Sequence, residues 1–392
     1  MKILALWAAL LAAPFTGNDV QRLLEQLDAP KLAEREAAER SLQAAGPRVL
    51  DLLPDDVASL SPEAKLRVAR VKNVLEQQMA VDWIKPTRVT LKPGRLPVGQ
   101  LLKTVEQQTG NGVATGQKSD KTPIDCRKLD QHTFWEVVLG AAEQSGMKIV
   151  TRAGDRRVEL VPRKKEETQA KFEPIGPFLL VIHEKSEFQQ ELEIAWEPRL
   201  EPIWLKLGLD GADGTSAGTY ELNPTADAIS AELTVPVPDS SAETGLAGKI
   251  TALVPGPKRS FRFPLADRDA RRQRFAQVDL ELLDVRQEKD ELRLTLRLRY
   301  AQAYEALESY RGWFFSNRAL LFPAKADKEN KGGKEGPAPK PLEPAATQTD
   351  NRTANSIDLI YRFKIDGPAD DYTFIYRTPI ALLRVDYDFS DK

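Results

Sequence analysis

A single cysteine, Cys126, rules out an intramolecular disulfide, so this chain must be held together by packing. Two histidines, His132 and His183, leave little material for a zinc site or a histidine-based catalytic centre. Cys126 and His132 stand close in sequence, but neither a third ligand nor a motif accompanies them. Cys126 reads as a small buried strand residue and His132 as the exposed neighbour of a helix start. Charge of one sign is also lacking, since the formal net charge is only -2. That balance gives no global reason to bind nucleic acid or an anionic membrane. After the first residues no apolar run is long enough to span a bilayer, so no integral membrane span is expected once the signal is removed.

What is present begins with Lys2, followed by Ile3, Leu4, Ala5, Leu6, Trp7, Ala8, Ala9, Leu10 and Leu11. A positive start and a short apolar stretch predict a signal peptide over residues 1–17, with the cleavage point left open among Pro14, Phe15, Thr16 and Gly17. The expected location is exported, periplasmic or extracellular. A composition of 41% hydrophobic and 29% charged residues suits several cores.

Residues 18–82 carry Val20, Leu23, Leu24 and Leu27, then Ala38 and Leu42, then Val68, Val71 and Leu75, at helical spacing. Residues 83–163 read as a mixed α+β unit. A strand is predicted at 89–91, and a helix at 97–109 uses Leu101, Leu102 and Val105 and stops at Gly110. Strands follow at 112–115 and 122–126. Thr133 caps a second helix bearing Trp135, Val138, Leu139 and Ala142, Gly146 ends it, and strands at 148–151 and 157–161 close a hairpin across Ala153-Gly154-Asp155.

Residues 164–171 are a charged linker, and beyond it the apolar period changes to alternation. Two β-sandwiches are predicted, at 172–266 and 267–392. The clearest strand is 291–300, with Leu292, Leu294, Leu296 and Leu298 on one face and Arg293, Arg297 and Arg299 on the other. Trp313, Phe314 and Phe315 are also expected in a strand, and residues 324–350, rich in Lys, Gly, Pro and Glu, read as a disordered insertion. The overall expectation is a multidomain α+β protein: a helical segment, a small βαββαββ unit and two antiparallel sandwiches.

Motifs that would name a reaction fail on inspection. Asp210-Gly211-Ala212-Asp213-Gly214 lacks the acidic spacing of a calcium loop and reads as a turn, as do Asp366, Asp370 and Asp371. Gly245-Leu246-Ala247-Gly248-Lys249-Ile250 has Ile250 where a phosphate loop needs Ser or Thr. Arg268, Arg271, Arg272 and Arg274 alternate with acids as in a solvated connector. Tyr300, Tyr304, Tyr310, Trp313, Phe314 and Phe315 could line a carbohydrate or peptide groove, although sandwich cores use such residues routinely.

The stretch VTLKPGRLPVGQLLKTVEQQTGNGVAT, followed by AAEQSGMKIV, resembles the secretin and TonB short N-terminal domain, a periplasmic docking module. The resemblance rests on the strand before Pro97, on Leu101, Leu102, Gly110 and Leu139, and on the Gly146-Met147-Lys148-Ile149 exit. In that family the module precedes a barrel or a secretin ring, neither of which is expected here. Protein docking is what the resemblance implies. LDAPKLAEREAAERSLQAAGPRVLDLL resembles a HEAT-type helical repeat. The β half, through IAWEPRLEPIWLKL, GKITALVPGPKRSFRFPL and ALESYRGWFFSNRALL, is similar to tandem sandwich pairs of secreted proteins.

The expected function is that of an exported, non-catalytic scaffold docking a protein partner in the cell envelope through residues 86–162. Contacts are expected on the first helix, at Gln107 and Gln108, and on an exposed sheet edge. No cofactor or metal is expected. The alternatives are binding of an envelope polymer, glycan or peptidoglycan, by the sandwiches, or a hydrolase with carboxylates assembled in space.

Overall fold

The structure, a computed structural model, describes residues 15–53, 60–116, 121–152, 154, 156–164, 170–185, 189–210, 216–236, 246–323 and 340–390. Residues 1–14 of the expected signal peptide, most of the linker and residues 324–339 of the insertion therefore lie outside the described residues. Among those described the chain is mixed α+β, with five α-helices and predominantly antiparallel sheets. It divides into two compact units, residues 1–82 and 83–392.

The first unit holds α1 (Gly17–Gln26), α2 (Leu32–Ala44) and all but the last residue of α3 (Pro62–Trp83). Thr16 starts α1 through a reciprocal cap, its amide donating to Asp19 Oδ2 at 3.0 Å while the Asp19 amide donates to Thr16 Oγ1 at 3.3 Å. Val20, Leu23, Leu24 and Leu27 are buried, as their spacing requires. Arg67, almost fully buried, donates to Glu39 at 2.7 Å and Glu63 at 2.8 Å, which ties α3 to α2. No helix among the described residues is long and apolar enough to cross a membrane.

The second unit opens with β1 (Arg95–Pro97), α4 (Val98–Thr109), β2 (Val113–Thr115), β3 (Pro123–Asp125), α5 (Phe134–Ser145), β4 (Met147–Arg152) and β5 (Arg157–Pro162). β1 and β3 form a ribbon, while β2, β5 and β4 form a sheet in that order. Both helices end as predicted on left-handed glycines, Gly110 (φ 72°) and Gly146 (φ 68°). Residues 89–91 are not a strand. Val89 donates to His132 O and accepts from the Gln131 amide, both at 2.9 Å, next to an isolated antiparallel bridge between Arg88 and Thr133, so its backbone is satisfied without a ladder.

The remaining strands are β6 (Lys171–Ile175), β7 (Phe178–Lys185), β8 (Gln189–Trp196), β9 (Trp204–Asp210), β10 (Ser216–Leu222), β11 (Ser230–Pro236) and β12 (Ala247–Pro255). They are followed by β13 (Lys258–Pro264), β14 (Arg272–Phe275), β15 (Val278–Glu288), β16 (Glu291–Tyr300), β17 (Arg318–Pro323), β18 (Ala346–Asp350), β19 (Ser356–Lys364), β20 (Tyr372–Pro379) and β21 (Leu382–Ser390). Sheets β11-β8-β7-β6 and β10-β9-β12-β21 share one core, which includes Phe178, Ile194, Trp196, Leu207 and Ile250. Sheets β13-β20-β17 and β14-β15-β16-β19-β18 share another, around Leu294, Leu296, Tyr361 and Phe374. The other face of β7 and β8 offers Leu179, Val181 and Ala195 to the core beneath α4 and α5.

Three expectations give way here. The boundary drawn between 266 and 267 is crossed twice: β21 pairs with β12, and β13 pairs with β20. Residues 346–350 of the insertion form an edge strand on β19. Trp313, Phe314 and Phe315 lie in a 3-10 turn, Trp313–Ser316, where Phe314 turns into the core and Phe315 outward.

Candidate functional site: an open sheet edge and an aromatic loop

The residues singled out from the sequence are scattered. Cys126 is buried, its thiol directed at Ile124 O and its pKa pushed up by burial, whereas His132 is exposed with Nδ1 2.9 Å from Asp130 O. Among the described residues no group of three His, Cys, Asp or Glu side chains could hold a metal. Gln107 is exposed on α4. Gln108 is committed elsewhere: its amide carbonyl accepts from the Thr90 amide and its amino group donates to Thr90 O, both at 2.8 Å. That side chain clamps the 87–91 segment to α4, so it is a structural contact as well as a surface one.

The α+β part is joined to the first β core by a buried polar hub that the sequence did not announce. Glu197, fully buried just after β8, accepts from the Thr87 amide at 2.8 Å, Asn111 Nδ2 at 3.1 Å and Arg199 Nε at 2.8 Å. Arg199 also donates to Trp83 O and to Lys85 O and stacks on the Trp83 ring at 5.0 Å. Every oxygen of the carboxylate has a donor, which is the condition for a buried charge to be tolerated. The one sequence signal was a carboxylate directly after the apolar run Ile194-Ala195-Trp196.

The same α+β part also has an open edge. Among the described residues β4 pairs only with β5, and β6 only with β7, and residues of both border a hollow of about 430 Å³. A second hollow of about 480 Å³ continues along the same residues, Lys148, Ile149, Ala170 and Phe172. In the first, Thr151 donates to Glu193 at 2.5 Å and accepts from Ser230 at 3.0 Å, and His183 Nε2 lies 3.9 Å from Glu193. The Ser230 hydroxyl is directed at Thr151 and not at His183, so these groups do not form a nucleophile with an adjacent base.

The second place is the segment between β16 and β17, residues 301–317. Its backbone bends sharply, with Tyr304 at φ 46° and Glu305 at φ 66°, a left-handed pair uncommon outside glycine. Arg311, 6% exposed, braces it by donating to Asn223 Oδ1 at 2.6 Å and Glu221 Oε1 at 2.9 Å. Trp313 Nε1 donates inward to Ala306 O at 2.8 Å, and Asn317 Nδ2 donates to the Tyr376 and Thr378 hydroxyls, both at 2.9 Å. Burial pushes the Tyr376 hydroxyl up to about 12. Of the aromatic set, Tyr300 and Phe314 are core as expected, but Tyr310 and Phe315 are 67% and 53% exposed. They border, with half-buried Trp313, a cavity of about 510 Å³.

At the rim of that cavity stands Glu201. Burial works against its charge, but Lys258 at 2.7 Å and the Arg156 guanidinium outweigh it and hold the carboxyl below the usual glutamate value. Every carboxyl clearly displaced among the described residues is displaced downward, a poor starting point for a proton donor near neutrality. No family of known proteins matches the chain, and no curated protein matches it.

Proposed function

We propose that this chain is an exported, non-catalytic interaction protein whose residues 86–162 act as a short N-terminal docking module for a protein partner of the cell envelope, the tandem sandwiches serving as its platform. The observation that carries this reading is the side of β4 away from β5, which no other strand of the described residues pairs with and which two adjoining hollows border. A strand edge offers backbone donors and acceptors in register, and hollows along it accept alternate side chains of an added strand. The resemblance of residues 86–162 to the docking module supports the same surface. Gln107 and the β4 edge carry the contact, while Gln108 stays with Thr90.

Site-specific photo-crosslinking in the native cells tests this on the full chain, with the photoreactive residue at position 107, at 149, or at exposed Arg384 on β21 as a control. One envelope protein captured from 107 and 149 and absent from 384 is the expected result. Capture from all three alike, or from none, overturns it.

A further inference from the structure

We propose that the loop 301–317 is a binding site for a neutral glycan chain, with Tyr310, Trp313 and Phe315 as platforms on which sugar rings stack. This site is independent of the β4 edge. Among the described residues of 83–392, the large apolar side chains left exposed are Tyr304, Tyr310 and Phe315, and all belong to this one loop. Scattered single exposures need no explanation, but a local concentration beside a cavity marks a contact surface.

The loop is also fixed before any ligand arrives. Arg311 and Asn317 anchor its second half, the Trp313 indole donates to Ala306 O, and Arg352 donates to Glu308 O at 2.7 Å while its guanidinium lies 5.2 Å from the Phe314 ring. Aromatic platforms held this way lose little freedom on binding.

The chemistry of the ligand follows from what is already used. Both charged residues bordering the cavity are neutralised: Arg311 by Glu221 at 2.9 Å, and Glu201 by Lys258 at 2.7 Å together with Arg156. The two charges in the lining itself, Glu201 and Arg311, are opposite and each is held by a partner, which suits a ligand without net charge. The Trp313 N–H, the indole donor that would fix a carbonyl of a proline-rich peptide, is already given to Ala306 O, while the Tyr310 hydroxyl accepts from Arg311 and keeps its own proton for a ligand oxygen. Arg311 covers one face of Tyr310 at 4.8 Å and leaves the other for contact, with the amide of Asn223, the hydroxyl of Thr225 and that of Ser316 around the rim. Apolar faces beside small hydroxyl and amide groups match a sugar, whose ring has a C–H face and a hydroxylated edge.

Titration of the full chain with cellohexaose, chitohexaose, maltohexaose and mannohexaose, followed by tryptophan fluorescence and calorimetry, tests the assignment. At least one of these saturates the site. Tyr310→Ala and Phe315→Ala, both at exposed positions, each weaken binding roughly tenfold while leaving the melting temperature unchanged. Failure of all four to bind at millimolar concentration overturns the proposal. So does binding that both variants retain in full, or displacement of the sugar by a proline-rich peptide at equal concentration.

Discussion

Arg199 and Arg311 are both nearly buried arginines paired with a glutamate, yet they stand in opposite settings. The partner of Arg199, Glu197, is fully enclosed, and the network spans residues 83–87, 111 and 197–199. The partner of Arg311, Glu221, keeps about a third of its side chain in water, at 37% exposure, and the network braces a single loop. An enclosed carboxylate can be kept only if distant segments deliver donors to it, so that hub joins regions remote in the chain. A half-exposed pair has water as a fallback and can be placed where the surface must hold a shape.

The contrast is broken most sharply at Glu197. Glu197→Ala leaves the Arg199 cation without its partner and should cost about 3–5 kcal/mol in denaturant unfolding, whereas Glu197→Gln, which keeps an acceptor, should cost less. High pH attacks the other side. Tyr376, an acid whose folded pKa lies above its unfolded value near 10, contributes stability that is complete below pH 10 and is lost as pH climbs toward 12, by at most about 3 kcal/mol. Asn317 donates to that oxygen and can hold the phenolate as well, so the rise in tyrosine absorbance should accompany the loss of stability of the buried core, and Tyr376→Phe should remove this step from the alkaline titration. The smallest change is expected from Arg311→Met. It leaves Glu221 solvated and should cost roughly 1–3 kcal/mol in melting experiments, with a larger loss of oligosaccharide binding than of stability. Equal losses from Glu197→Ala and Arg311→Met would erase the distinction between the two hubs.

Much of the local structure was legible because period and burial agree. β16 alternates Leu292, Leu294, Leu296 and Leu298, all fully buried, with Arg293, Thr295, Arg297 and Arg299, and Gly110 and Gly146 end their helices where the pattern stops. What escaped was non-local or unpatterned. β18 is Ala-Thr-Gln-Thr-Asp on an exposed edge, with no apolar face for alternation to reveal. Trp313, Phe314 and Phe315 have strand propensity, but the braced turn around Arg311 overrides it. The candidate aromatic groove could be suspected from the sequence, whereas its exposed members could not be told from Tyr300 and Phe314. The crossing of β13 and β21 is a choice of partner, which no single strand encodes.

The pairing of β21 with β12 carries a cost in time. The sheet of β9, β10 and β12 stays one strand short until residues 382–390 are available, with all eight strands β13 to β20 lying between the two partners in sequence. Closing so large a loop late makes for slow assembly, and in the interval the unpaired edge of β12 is open to other chains. A shortened chain that stops before Leu382 should therefore reveal itself first as aggregation during refolding, ahead of any loss in the helical unit.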